Sequence, residues 1–277
     1  MKKHTVTILL FLVLLAGLSL ILYPTFSDWW NSMHTSKVIS DYVNLIQELD
    51  EDEYMGLLEA AQAYNESLLD RSNGYTTTPE QKAAYPGLLN FSGNDVMGYV
   101  EIPNINVSLP IYHGTEEAVL QMAVGHLDWS SLPIGGESTH AVVSGHRGLP
   151  SAKLFTNLDR LREGDIFYIR VLDEVLTYEV DQILIVDPRD VDELMIKKGK
   201  DYCTLFTCTP YGINSHRLLV RGHRIATAEE KEIRLVLNEA VLVRPVIVAP
   251  IVALPMLFTL LVWILIPKRK SYRRDEF

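Results

Sequence analysis

Two uncharged stretches bracket the chain: residues 5–27 and 245–267 contain no Asp, Glu, Lys or Arg. As a helix, each would extend about 34 Å at about 1.5 Å per residue, enough to cross a hydrocarbon core about 30 Å thick. The first could also be read as a cleaved signal peptide. Its apolar segment is longer than such peptides use, and no small-x-small cleavage site follows. Tyr23, Trp29 and Trp30 come next instead, residues that suit a membrane interface. An uncleaved anchor is therefore expected. The second stretch contains Pro250 and Pro255, which break a soluble helix but are tolerated in a membrane one. The alternative for it is a buried core helix.

Between the two runs the hydrophobic period changes. Val38, Tyr42, Leu45, Ile46 and Leu49 recur at helical spacing, as do Leu57, Leu58, Ala61, Tyr64, Leu68 and Leu69, so residues 36–69 are expected to be helical. Residues 70–93 are polar and rich in turn formers. From Met97 onward apolar and polar residues alternate, and strands are expected at 98–102, 107–111, 141–144, 166–171, 175–185, 203–207 and 218–225. Asp173-Glu174 reads as a hairpin turn, and short helices fit 116–122 and 154–158. Many short strands with few helices imply a mainly β fold, a closed barrel or sandwich of about 130 residues. Residues 229–243 read as a charged helical connector into the second run.

Charge adds an orientation. Lys2 and Lys3 precede the first run, and Lys268, Arg269, Lys270, Arg273 and Arg274 follow the second. Basic flanks stay on the cytoplasmic side, so both termini are expected inside and the middle outside. That middle, residues 28–243, carries 17 of the 25 basic side chains and 33 of the 35 acidic ones. A strongly acidic surface argues against nucleic acid as a partner. The chain is 48% apolar and 22% charged, which excludes a disordered or collagen-like polymer. It has two cysteines, Cys203 and Cys208. Five residues apart on a strand they lie about 16 Å from each other on opposite faces, beyond disulfide reach.

Three segments could carry chemistry: Ser144-Gly145-His146-Arg147-Gly148, Thr204-Leu205-Phe206-Thr207-Cys208 and Ser215-His216-Arg217. Cys208 ends a β-rich run, a rigid platform that still opens to substrate. Its thiolate would be the reactive form, and a nearby imidazole could exchange its proton. By residue type alone, a buried structural cysteine is the better account of Cys208. His146 lies between two glycines and could protonate a leaving amine; it could also be a turn histidine satisfied by backbone. Arg217 opens the next strand, where its guanidinium could hold an oxyanion or simply sit on the surface. Parity places Arg217, Leu219, Arg221 and His223 on one face. His126, His216 and His223 show no metal-ligand spacing, and no phosphate-binding glycine loop is present, so neither metal nor cofactor is expected.

At these residues the sequence resembles the sortases, membrane-anchored cysteine transpeptidases of Gram-positive bacteria. Thr204-Leu205-Phe206-Thr207-Cys208 is similar to the sortase signature around the nucleophile. Arg217 falls where the catalytic arginine is expected, and His146 where the catalytic histidine is. The strings Gly98-Tyr99-Val100-Glu101-Ile102-Pro103, Leu109-Pro110-Ile111-Tyr112-His113-Gly114-Thr115, Gly148-Leu149-Pro150-Ser151-Ala152-Lys153-Leu154-Phe155 and Cys208-Thr209-Pro210-Tyr211-Gly212-Ile213-Asn214 resemble class C, the pilin-polymerising sortases. The second apolar run also fits that class.

The resemblance implies a closed barrel of about eight strands over residues 96–228. A stub and anchor at 1–27 and a helical, lid-region segment at 28–95 would precede it. A connector at 229–244, a second span at 245–267 and a basic tail at 268–277 would follow. It further implies cleavage of an LPXTG-like signal and transfer to a Lys amine of a pilin subunit. Anchoring to the cell wall, or simple endopeptidase activity, would be possible on the same scaffold. Class C enzymes often carry an Asp-Pro-aromatic lid motif. Residues 70–93 have none, and Asp28-Trp29 lacks the proline. The resemblance therefore implies either no lid or occlusion by Tyr75 or Tyr85.

Overall fold

The computed structural model describes residues 2–69, 76–91 and 93–227. The second apolar run, the connector before it and the basic tail lie outside the described residues, as does Tyr75.

The first apolar run and the helix expected after it are not separate elements. α1 runs unbroken from Lys2–Glu48, with Pro24 inside it. It is long and apolar enough to cross a membrane. The helix expected over 36–69 is instead interrupted at Leu49 and Asp50. The physical reason is Asp50, which caps α2 (Glu51–Ser67). Its Oδ1 accepts from the Glu53 N–H at 2.8 Å, and the Glu53 carboxylate accepts in return from the Asp50 N–H at 3.4 Å. A second capping box, Thr78 with Gln81, starts α3 (Pro79–Ala84).

Eight strands follow: β1 (Val96–Ile102), β2 (Val107–His113), β3 (Val124–His126), β4 (Thr139–Gly145), β5 (Ile166–Val171), β6 (Glu174–Val186), β7 (Asp201–Thr209) and β8 (His216–Ile225). They close into a barrel in the order β1-β2-β3-β4-β7-β8-β6-β5. The β2–β3 and β4–β7 pairs are parallel and the others antiparallel. Closure leaves no free edge. The short helix expected at 116–122 is α4 (Glu117–Leu120). The helix expected at 154–158 does not form. Those residues are turns leading into a 3-10 turn at Leu158–Arg160, and Leu154 has a positive φ of 35°. The β5–β6 hairpin turns at Leu172-Asp173, one residue earlier than expected. Leu172 takes the left-handed conformation (φ 51°), and its N–H donates to the Tyr42 hydroxyl at 2.9 Å.

Alternation along each strand separates an inner from an outer face. Val100, Ile102, Ile111, Val143, Phe167, Ile169, Leu205 and Val220 fill the barrel and are fully buried. Each such side chain contributes about 1.5–3 kcal/mol relative to exposure. A smaller cluster, Val142, Leu194 and Leu219, forms on the outer face, where the β6–β7 connection covers β4, β7 and β8. α1 docks through Tyr42, which is fully buried and donates its hydroxyl to the Met97 carbonyl at 3.0 Å.

Candidate active site

Strand register brings the three chemical segments together. On β7, Cys203 and Leu205 point into the barrel, so Thr204, Phe206 and Cys208 point outward. Cys203 is buried and Cys208 is partly exposed; both are free thiols. Burial in the apolar interior pushes the Cys203 thiol well above its ordinary pKa.

Cys208 pairs directly with Arg217 on antiparallel β8. Directly opposed residues share a face, so the two side chains leave the sheet on the same side. On the other side β4 runs parallel to β7, with Ser144 opposite Phe206. The Thr207 hydroxyl donates to the Gly145 carbonyl at 2.7 Å and ties the ends of the two strands together. His146 comes directly after the last residue of β4, and the β4–β7 register extended by two residues sets it level with Cys208. Neighbouring strands are about 4.8 Å apart, so this register aligns the backbone positions of His146, just past β4, Cys208 and Arg217 in one row at the same end of the sheet.

The surroundings explain the glycines. A Cβ on Gly145 would meet the Phe155 ring at 2.7 Å and Val124 at 2.8 Å, so only hydrogen fits there. Gly148 has φ +82°, and the ring of exposed Tyr211 lies over it. Arg147, between His146 and Gly148, points away from the row. It donates to Thr209 Oγ1 at 3.2 Å and to Asp159 at 2.5 Å. Arg217 Nη1 donates to the carbonyls of Asn214 and His216, both at 3.1 Å, so the β7–β8 loop holds its guanidinium.

One residue at the site had no signal in the sequence. Glu117 on α4 places Oε2 3.6 Å from His146 Nε2. The Gln121 amide, and after it the His146 imidazole, hold the Glu117 carboxyl below the usual carboxylate range. A glutamate in a four-residue helix 29 positions upstream of its partner has no motif to mark it; the pair exists because α4 leads into β3, which pairs with β4.

Tyr85 does not occlude the groove. It is a core residue, 5% exposed, stacked on His126, with its hydroxyl 2.9 Å from His126 Nδ1 and accepting from the Gly114 N–H at 3.0 Å. An aromatic ring in a polar connection is better buried on a barrel than left over a polar cleft. Among the described residues no group of three His, Cys, Asp or Glu could hold a metal ion. His126 is fully buried, and desolvation lowers its pKa to about 4. His216 pairs with Ser215 at 2.9 Å.

The sortase domain model matches residues 100–225, which include all three members of the row. The chain is 48% identical to sortase C1 from Streptococcus agalactiae, whose solved structure it covers completely with 69% of its own length, at a TM-score of 0.67. The chain belongs to the sortase family. Sortase C from Streptococcus pneumoniae is 46% identical with a TM-score of 0.63, over 69% of this chain and 97% of that one. Class C sortases are thus structural neighbours. Sortase D from Bacillus subtilis (strain 168) is 33% identical over 131 residues, 46% of this chain and 63% of that protein. The chain thus spans a little under two thirds of that curated relative.

Proposed function

We propose that the protein is a membrane-anchored cysteine transpeptidase that polymerises pilin. Cys208 is the nucleophile. Its sulfur attacks the Thr carbonyl of an LPXTG-like sorting signal, and the Arg217 guanidinium holds the oxyanion that forms. The C–N bond after Thr breaks, the departing amine takes its proton from the His146 imidazolium, and a thioester remains on Cys208. A Lys amine of the next pilin subunit then attacks the thioester carbon. It gives its proton to the His146 imidazole, the C–S bond breaks, and an isopeptide bond joins the subunits. Glu117 places its carboxylate 3.6 Å from His146 Nε2, on the imidazole that exchanges these protons.

What supports this reading most is the strand register, which aligns His146, Cys208 and Arg217 at one end of the sheet. The kind of acceptor comes from the neighbours: the Streptococcus pneumoniae sortase C is described with pilin as its substrate. The α1 helix and the run at 245–267 anchor the chain twice, with both termini cytoplasmic and the barrel outside. This holds the enzyme beside substrates in the same membrane and raises their effective concentration. Incubation with a pilin that bears an LPXTG-like signal and an acceptor lysine should yield a covalent ladder that survives boiling in detergent. Release of cleaved monomer alone, with an amine acceptor in excess, would make the protein an endopeptidase instead.

A further inference from the structure

The part of α1 just beyond its apolar run lies against the loop that follows His146. Asp28, the first charged residue after that run, accepts at Oδ1 from the Lys153 N–H at 3.0 Å. Its Oδ2 lies 3.0 Å from Lys153 Nζ. One turn along, Asn31 Nδ2 donates to the Ser151 carbonyl at 3.1 Å. Asp28, Asn31, Thr35 and Tyr42 are spaced i, i+3, i+7 and i+14, a single helical stripe. Thr35 is 9% exposed and Tyr42 fully buried, so this face is docked along its length. About 14 residues at about 1.5 Å each make a rigid arm of about 21 Å between the barrel's Tyr42 socket and Asp28.

The loop that receives this arm is tied to the catalytic row. Its neck closes where the Phe155 N–H donates to the His146 carbonyl at 3.1 Å and the Gly148 N–H to Thr156 Oγ1 at 3.1 Å. The Thr156 N–H in turn bonds the Lys153 carbonyl at 2.7 Å. Lys153 is two residues from Phe155, so the Asp28 carboxylate lies within about 13 Å of the His146 carbonyl along this path. On the far side of the loop, Gly148 supports the exposed ring of Tyr211. The loop has no regular secondary structure of its own between Arg147 and Phe155. Its shape rests on the neck, on Ala152 and Leu154 packed into the core, and on the polar contacts that α1 supplies.

We infer that Asp28 and Asn31 are positioning residues through which the helix emerging from the apolar run sets the 148–154 loop, and so one wall of the groove that receives the sorting peptide. The inference rests on the transpeptidase reading for its substrate and on the hydrogen bonds alone for its geometry. Neither residue touches the reacting atoms. Their loss changes how well the peptide is held and leaves the thiol, imidazole and guanidinium in place.

The test uses the full chain in detergent micelles, with Asp28→Ala, Asp28→Asn and Asn31→Ala. Hydrogen exchange at the amides of 148–155 should rise about tenfold or more in Asp28→Ala, with β1 and β7 unchanged. With a fluorogenic sorting peptide, KM should rise about fivefold or more while kcat stays within about twofold. Asp28→Asn keeps an acceptor for the Lys153 N–H and should recover most of the KM. Unchanged loop exchange, or a KM within about 1.5-fold of the unsubstituted protein, would overturn the inference. So would parallel loss of kcat, KM and melting temperature in all three variants, which would mark a merely structural contact. Should the unsubstituted protein turn over no peptide while Asp28→Ala still frees the loop, the transpeptidase reading fails and the clamp stands.

Discussion

The outer face of the β4–β7 pair carries a histidine near each end, and the two have opposite fates. At the start of β4, His140 shares this face with Thr204 of β7. Its Nε2 meets Thr204 Oγ1 at 2.7 Å and its Nδ1 meets the Met195 carbonyl at 3.0 Å. The β6–β7 connection covers it completely, and desolvation lowers its pKa to about 4. Six residues on, His146 shares the same face with Cys208 and keeps a side-chain exposure of 27%. The residue type is the same, and the two flank one strand, His140 near the start of β4 and His146 just past its end. What differs is the cover. One end is sealed into a hydrogen-bonded neutral pair, and the other stays partly open to solvent with a carboxylate beside it. β7 repeats the contrast across its thickness, with Cys203 inside and Cys208 out.

Substitutions can break this contrast, beginning with the thiols. Cys208→Ala should lower acyl transfer by about 1,000-fold or more, read as loss of peptide cleavage with an unchanged melting profile. Cys203→Ser should keep turnover within about threefold and cost about 1–3 kcal/mol for the buried hydroxyl, measured by denaturant unfolding. Equal inactivation by both would mean that sheet face does not separate their roles. Arg217→Lys should cost about 100-fold in kcat/KM, because an ammonium cannot reproduce the planar fork of donors that a guanidinium presents. A rate near that of the unsubstituted protein would place the oxyanion elsewhere.

The sealed end titrates against the fold. In the folded state His126 and His140 have pKa values of about 4, below the ordinary value of about 6.5. Between those values the unfolded chain binds protons that the folded chain refuses. Stability is complete above about pH 6.5 and falls as pH drops toward 4, by about 2 kcal/mol for each histidine at pH 4.5. The side groups acting on His140 are Arg221, Lys197 and Asp181, and on His126 it is His113. His140→Gln, which cannot titrate, should flatten the decline in thermal melts across this range; an unchanged slope would show that His140 does not contribute. The smallest expected effect is at the open end. Glu117→Gln should lower kcat/KM no more than about two- to threefold, since the carboxylate is mostly exposed and screened.

Much of this was legible in one dimension. Period-two alternation marked seven of the eight strands, and opposite parity placed Cys203 and Cys208 on different faces. It missed β3, whose three residues Val124, Gly125 and His126 are too few to show a period and exist as a strand through their pairing with β2 and β4. It ran α1 and α2 together differently from the structure, because hydrophobic spacing passes smoothly over Leu49 and Asp50 while the Asp50 capping box does not. It allowed Tyr85 to serve as a cover, because the sequence does not record that His126 would be there to receive its hydroxyl.

By itself, the sequence determined the apolar runs, the strand faces and the three residue types whose motifs resemble sortases, because each depends on a chain's local chemistry and period. Only the tertiary structure decided which histidine is sealed and which stays open, that Glu117 reaches His146, and that α1 grips the loop beside it. Those are contacts between segments far apart in the chain. They arise from strand order and barrel closure, and no local pattern encodes which segments closure will bring together.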